Sequence, residues 1–546
     1  MDQSDSVPMA NYERNLGKRC RRSEGEYLGK NEGEKGVCNS VKCERNLGKR
    51  CRCSEGKNLE KNEGEKGVYN LVKFECNLGK RRRCCEGKNE GKKGVYNLLD
   101  RISAMPDEIL VSILSLLPLK EAAATSILSR RWQYVWMSTM VLNFDANFDV
   151  GSNICRFGAL KRKLRDLESG RYVNWVNRVV EQHRGPNIEE FSVCFQLNDR
   201  FTSSIDKWIQ FAIEKGVTTL VLKFFSQLDS ASLNFYAFPH KLLGLEKKCL
   251  YSYIPSLRPC GYKVGFQSLK VLHFQWVDVT DEVLEYFLSN CAVLERVTVY
   301  GTKSLVNLRV VRPSAALKHL AIGACLGLQG IEICEANLVS FKYDGSVINL
   351  LLTNVPLLVE VSISYISNPR AFIELFSSKL SCCLSQLEIL MLKITRADYN
   401  PKHVFPMLAN LKHLELIVHA DYRLALHHLT SFLKASPFLQ RLVLKLDFIV
   451  SLEDIEKIKK AAKCPHHYLK VVEIVGYRAR ASAVDHILFL IKSATALEKI
   501  VIDPLRRWAY PYEPGSEELS DEAEAREHAV QLIKTKLPST VEFVCL

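Results

Sequence analysis

Apolar residues recur along this chain in two rhythms. Between residues 106 and 136 they fall at helical spacing. Ile109, Leu110, Ile113, Leu114 and Leu117 follow the three-and-four step of a helix. Pro106, Asp107 and Glu108 stand where that helix should begin, because proline fits a first turn and acidic side chains favour the positive end of the helix dipole. Pro118 stops the run, a second helical run is expected from Glu121 to Leu128, and a third element carries Trp132 and Trp136. From about residue 186 the rhythm changes to a hexad, apolar-x-x-apolar-x-apolar. It begins at Ile188, Val217, Leu269, Leu294, Leu317, Leu338, Leu358, Leu387, Leu411, Leu439, Leu469 and Leu497. Its second and third apolar positions alternate and so face one side of a short strand, while the first turns into the same core from the preceding bend.

Most hexads start about 20 to 30 residues apart, the period of leucine-rich repeats. A single unit cannot bury its own apolar side chains, but a row of parallel units can. The pattern therefore predicts an α/β solenoid with a concave strand face over residues 186–450. The connections are expected to be helical or irregular, as at Val283-Leu284-Phe287-Leu288 and Leu429-Phe432-Leu433. An unrelated α/β fold with amphipathic strands is the alternative, which twelve copies of one hexad argue against. Between Val217 and Leu269 one repeat is missing, and a degenerate repeat or an irregular loop is expected there.

The helical stretch, residues 99–145, is too short to bury much surface alone, so its Leu, Ile and Trp surplus should be covered by another body. The same periodicity also fits a helical hairpin in an ordinary core. Its residues decide between them: Asp100-Arg101-Ile102-Ser103, Met105-Pro106-Asp107-Glu108-Ile109-Leu110, Ile113-Leu114-Ser115-Leu116-Leu117-Pro118, Ala124-Thr125-Ser126, and Leu128-Ser129-Arg130-Arg131-Trp132 with Trp136. In order and spacing this resembles the F-box, the motif that plugs substrate receptors into cullin-type ubiquitin ligases. Met105, where the family usually has leucine, is a volume-conserving departure. The resemblance implies that Pro106, Ile109, Leu110, Ile113, Leu114, Leu117, Pro118, Leu128 and Trp132 dock on a Skp-type adaptor, and through it on cullin and RING subunits. The solenoid would then hold a target protein that the sequence does not identify.

Residues 464–546 read as two strands flanking a helix: Leu469–Val475, Ser482–Ala494 and Leu497–Ile502. Cys464-Pro465-His466, Gly476-Tyr477, Ala494-Thr495-Ala496-Leu497 and Leu537-Pro538-Ser539-Thr540 resemble the FBD domain that ends plant F-box/leucine-rich-repeat proteins. An acidic insert, Glu513–Glu527, reads as a mobile separator within it. Cys464, His466 and His467 offer three metal donors with no fourth nearby, so no metal site is expected.

The chain has 546 residues and a net charge of +14. Residues 1–98 hold 23 Lys/Arg against 15 Asp/Glu, so the remainder is nearly balanced and shows no nucleic-acid groove. Within those 98, residues 11–98 are an imperfect triplication, with Asn-Leu-Gly-Lys-Arg at Asn15, Asn46 and Asn77. Rich in Gly, Lys, Glu, Asn and Arg, they cannot bury enough to offset chain entropy and are expected to be a disordered basic tail. Basic clusters such as Lys80-Arg81-Arg82-Arg83 suit nuclear import or weak nucleic-acid contact, but equally a solvated tail.

No secretory signal or long apolar run is visible, so a soluble protein of the nucleus, the cytoplasm or both is expected, without a membrane partner. In that setting most of the nineteen cysteines should be reduced thiols. Catalytic motifs are missing: no Gly-x-Ser-x-Gly, no phosphate loop and no Cys/His nucleophile arrangement occurs, and no cofactor is implied. The expectation is a non-catalytic substrate receptor of an Skp–cullin–F-box ligase. A non-ligase scaffold using the same adaptor contact is the alternative.

Overall fold

The computed structural model describes residues 102, 104–145, 159–224, 234–245, 266–365, 379–394, 405–420, 425–448, 464–505 and 516–546. The triplicated tail, its basic clusters and its cysteines lie outside the described residues.

Three short helices open the described chain: α1 (Asp107–Ser115), α2 (Leu119–Ala124) and α3 (Trp132–Val135). Instead of stopping α1, Pro118 starts α2, its carbonyl accepting from Glu121 N at 2.9 Å and Ala122 N at 3.0 Å. The second run thus begins two residues earlier than its spacing suggested, and it ends in a 3-10 turn, Thr125–Ile127. The next element, β1 (Val141–Asp145), is a strand. It was expected to belong to the helical module. Instead it opens the sheet, and helix α4 (Ala159–Gln182) then leads to β2 (Glu190–Phe195).

All twelve hexads form strands. After β2 come helix α5 (Thr202–Glu214) and β3 (Thr219–Phe224). A short two-stranded sheet pairs β4 (Tyr236–Ala237) with β6 (Val277–Asp278), bracketing β5 (Val271–Gln275). Helix α6 (Asp281–Asn290) precedes β7 (Arg296–Tyr300). Then β8 (Asn307–Val311), β9 (His319–Gly323), β10 (Gly330–Cys334), β11 (Ser340–Gly345) and β12 (Asn349–Thr353) follow closely. The series continues with β13 (Glu360–Tyr365), β14 (Ile389–Ile394), β15 (His413–His419), helix α7 (Ala425–Ala435) and β16 (Arg441–Asp447). It ends with β17 (Val471–Val475), helix α8 (Ala481–Ser493), β18 (Lys499–Asp503), helix α9 (Ser516–His528) and β19 (Glu542–Cys545).

Fourteen of these strands form one parallel sheet in the order β1-β2-β3-β5-β7-β9-β11-β13-β14-β15-β16-β17-β18-β19. The register aligns the hexads: Leu390 of β14 stands beside Leu414 of β15, and Leu416 beside Leu444 of β16. Every apolar hexad position is buried except Leu497, which is half-buried. Each fully buried Leu or Val is worth roughly 1.5–3 kcal/mol, which is why stacking makes the repeats cohere.

Two expectations need correction. The connections β8, β10 and β12 are strands and form a second parallel sheet, a consequence of the period-two alternation in Asn307-Leu-Arg-Val-Val311 and its counterparts. In the gap after β3, where a degenerate repeat or an irregular loop was expected, no strand joins the main sheet, because β3 pairs directly with β5. The C-terminal segment is not set apart from the repeats, since β17 continues the register of β16 (Arg441 beside Val471). Most of its acidic insert is helical, within Ser516–His528; Ala525 is buried, and the Tyr477 hydroxyl pairs with His528 Nδ1 at 2.8 Å.

Strands end on left-handed residues: Trp276 (φ 57°), Gly301 (φ 75°) and Ala324 (φ 48°) follow β5, β7 and β9. Each donates its backbone N–H to the last part of the next strand, as Trp276 N does to Tyr300 O at 2.7 Å. A methyl group at Gly301 would overlap the Trp276 ring. Gly301→Ala should therefore cost about 2–4 kcal/mol, from the positive φ and the overlap together. Urea unfolding measures it, and a neutral result would contradict this packing.

Candidate docking surface of the helical module

Helix α1 carries two apolar stripes rather than one. Leu110 and Leu114 are fully buried against α2 and α3, together with Leu119, Ala122, Trp132, Val135 and Trp136. Ile109 and Ile113, one position round the helix, are 48% and 39% exposed. Leu116 and Leu117 follow in the turn, at 85% and 37%, and Ile127 and Leu128 stand exposed after α2. Eight of the twenty large apolar side chains exposed among the described residues lie between Ile102 and Tyr134. Such crowding of exposed apolar groups marks an interaction surface.

The nine residues expected to dock on an adaptor thus divide. Pro106, Ile109, Ile113, Leu117, Pro118 and Leu128 are at the surface. Leu110, Leu114 and Trp132 require correction: they build the module's own interior and can only support a surface, not form it. Helical spacing could not separate these sets, because adjacent stripes of α1 are both apolar. Sequence reasoning also passed over Leu116 and Ile127. An apolar residue beside a helix end, outside the buried stripe, was the available signal.

The exposed stripe is held in place from within. Leu110 N donates to Pro106 O at 3.2 Å, and proline leaves no unpaired N–H at the helix start. The Arg131 guanidinium ties α3 back to α1, pairing with Asp107 Oδ1 at 2.6 Å and also reaching the Met105 carbonyl. Ser115 Oγ donates to Val111 O at 2.8 Å and accepts from Met140 N at 2.9 Å, fixing the end of α1 to the approach to β1.

The module is joined to the sheet just as closely. Strand β1 pairs with β2 over its full length. Phe144, fully buried, meets Trp175 edge-on at 5.1 Å and Phe191 at 5.7 Å. Tyr172 donates its hydroxyl to Phe144 O at 2.5 Å. After α4 the chain touches the module again: Arg184 N donates to Met137 O at 2.8 Å, and its guanidinium lies 4.9 Å over the Tyr134 ring. His183 Nε2 donates to Thr139 O at 3.1 Å; burial lowers its pKa, partly opposed by that bond.

Four histidines on or beside the sheet have lowered pKa values: His273 of β5 and His413 of β15 are half-buried, and His428 of α7 and His466 before β17 are buried. Burial pushes His273 and His428 down to about 4, and lowers His413 and His466. In the unfolded chain histidine titrates near 6.5. Between the two values the unfolded chain binds more protons, so stability rises with pH. His273 and His428 should each contribute on the order of 2–3 kcal/mol, fully present above about pH 6.5 and lost as pH falls toward 4. Scanning calorimetry from pH 7 to 5 should show a falling Tm; a flat profile would refute neutral burial.

The C-terminal donor group is used for packing. His466 Nε2 donates to Ser436 O at 2.8 Å, His467 Nδ1 pairs with Thr495 Oγ1 at 3.0 Å, and Cys464 is buried. No group of three or more His, Cys, Asp or Glu suited to a metal ion occurs among the described residues. The described cysteines are all free thiols, and burial pushes Cys291 up to about 12, far from a reactive thiolate.

A family model described as "At1g61320/AtMIF1, LRR domain" matches residues 179–546, and one described as "F-box domain" matches residues 102–143. The chain belongs to the F-box/leucine-rich-repeat family. Among its relatives in Arabidopsis thaliana, the F-box/FBD/LRR-repeat protein At5g22700 is 26% identical over 433 residues, covering 74% of this chain and 92% of the relative. The FBD-associated F-box protein At5g38590 is 28% identical over 419 residues, 74% of this chain and 93% of the relative. The F-box/LRR-repeat protein At3g03360 is 32% identical over a shorter stretch, 218 residues, or 38% of this chain and 39% of the relative. The F-box match ends inside β1 and the repeat match starts within α4, so the first strand of the sheet comes from the end of the F-box.

Proposed function

We propose that this chain is a non-catalytic substrate receptor of an Skp–cullin–F-box ubiquitin ligase. The observation that carries the reading is the exposed apolar stripe of the F-box, Ile109, Ile113, Leu116 and Leu117, backed by a separate buried stripe. Apolar anchors of this kind supply most of the affinity when a helix enters a groove. A Skp-type adaptor covers them and links the chain to cullin and RING subunits. The repeats hold a target protein and raise its effective concentration beside the ubiquitin-charged enzyme, with no bond chemistry of their own. The FBD-like C-terminal repeats extend the same holding surface. No helix among the described residues is long and apolar enough to cross a membrane. Free buried thiols and the basic clusters of the tail favour action in the cytoplasm, the nucleus or both.

Co-expression of the full chain with a Skp-type adaptor tests the reading. The two should co-purify as a stable complex, and that complex, supplied with cullin and RING subunits, should promote ubiquitin transfer to a captured partner. Failure to co-purify would overturn the receptor reading, while co-purification without partner turnover would favour a non-ligase scaffold.

A further inference from the structure

The strand face opposite the buried core is unevenly charged. Opposite the buried positions, β3 carries Lys223 and β7 carries Arg296, and the residues just before β5, β7 and β9 are Lys270, Glu295 and Lys318. Glu189 and Glu190 border this face on β2. From β11 onward cations are matched across neighbouring strands. Lys342 pairs with Glu360 at 3.0 Å, Lys445 with Glu415 at 2.5 Å, Arg441 with Glu473 at 2.7 Å, and Lys412 with Glu388 at 2.9 Å, with Lys393 the exception. Lys223, Lys270 and Arg296 form no salt bridge among the described residues, although Lys223 lies close enough to Glu190 of β2 to oppose the burial-driven rise of its pKa.

The same face is otherwise suited to a chain laid across it. Arg296 stands beside His319 in register, and Thr298 beside His273. Val221, Val271 and Tyr300 add half-buried apolar surface between the charges. Uncompensated cations on a row of strands cost the fold self-repulsion, and they attract and orient an anionic partner over a Debye length.

We propose that the strand face of β3–β9 is the part of the repeats that takes the target, and that it binds an acidic, Asp/Glu-rich segment of that protein. This rests on the reading of the repeats as a target-holding surface. Carboxylates of the segment replace, strand by strand, the cross-strand partners that the later repeats already possess. Arg296 is the central contact, since a guanidinium can take a carboxylate with two parallel hydrogen bonds.

Fluorescence anisotropy with the full chain in its adaptor complex tests the assignment. The probe is a labelled Glu/Gly peptide, compared with its Gln/Gly counterpart. The Glu peptide should bind saturably and weaken steeply with salt, and the Gln peptide should not bind. Arg296→Gln combined with Lys270→Gln should weaken binding at least about tenfold. Lys412→Gln combined with Lys470→Gln, an equal change in net charge at paired sites, should leave it within about twofold. Thermal melts confirm that both variants are folded. No saturable binding of the Glu peptide, or equal weakening by both variants, would overturn the inference. Adaptor capture is measured on the same preparations: its loss speaks against the receptor reading, whereas its retention without peptide binding defeats only this assignment.

Discussion

Replacing Ile113 and Leu117 together by aspartate should abolish adaptor capture while leaving the fold intact. Both side chains already face solvent in the free chain, at 39% and 37% exposure, so a charge there costs little in the monomer. In a complex the same positions would be covered, and an unpaired carboxylate would be buried beside apolar groups. Central apolar anchors are worth about 2 kcal/mol or more each, so the pair should lower affinity at least about 100-fold. Leu114→Asp is the informative contrast. Leu114 is 1% exposed, and its replacement should unfold the module and lose capture for a different reason. Circular dichroism with a pull-down separates the two. Capture by the Ile113/Leu117 variant at wild-type level would remove the exposed stripe from the interface.

Phe144→Ala should weaken the joint between module and sheet. Phe144 is fully buried on β1 and packs on Trp175 and Phe191. Truncating a buried phenylalanine costs about 3–5 kcal/mol. The loss falls where one element serves both bodies, so the cooperative unfolding of the chain should split. Hydrogen exchange should rise first in α1–α3 and β1 while β13–β18 remain protected. Uniform loss of protection would show that module and sheet do not unfold as separate units.

Much of this architecture could be read from residue order alone, and what could not has physical reasons. The hexads were legible because each strand buries two alternating side chains, with a third from the preceding bend; all twelve became strands of one sheet. Strand β1 was hidden because Leu142 and Phe144 follow directly on the helical module, without the apolar residue that opens a hexad. Strands β8, β10 and β12 were passed over because they sit where a repeat usually returns by another route, although Leu305-Val-Asn-Leu308-Arg-Val310 and Leu328-Gln-Gly-Ile331-Glu-Ile333 repeat the hexad. Helix α4 announces itself poorly, since Lys161-Arg162-Lys163 and Arg165-Asp166 crowd its start. The exposed apolar stripe was legible as an apolar excess between Ile109 and Leu117. Which residues face outward was not, because Ile109 and Leu110 are equally apolar and only packing against Trp132 and Trp136 chooses between them.

Because β1 leaves the F-box directly into the parallel sheet, repeat number works as a ruler. Neighbouring strands lie about 4.8 Å apart, so gaining or losing one unit upstream of a contact moves that contact by one such step, with a small added twist. If the chain acts as the proposed receptor, a lysine on a held protein would then shift relative to the ubiquitin donor by a fixed increment. On that reading, reach would be adjusted in discrete notches, by duplicating or deleting a coil, without redesigning either end.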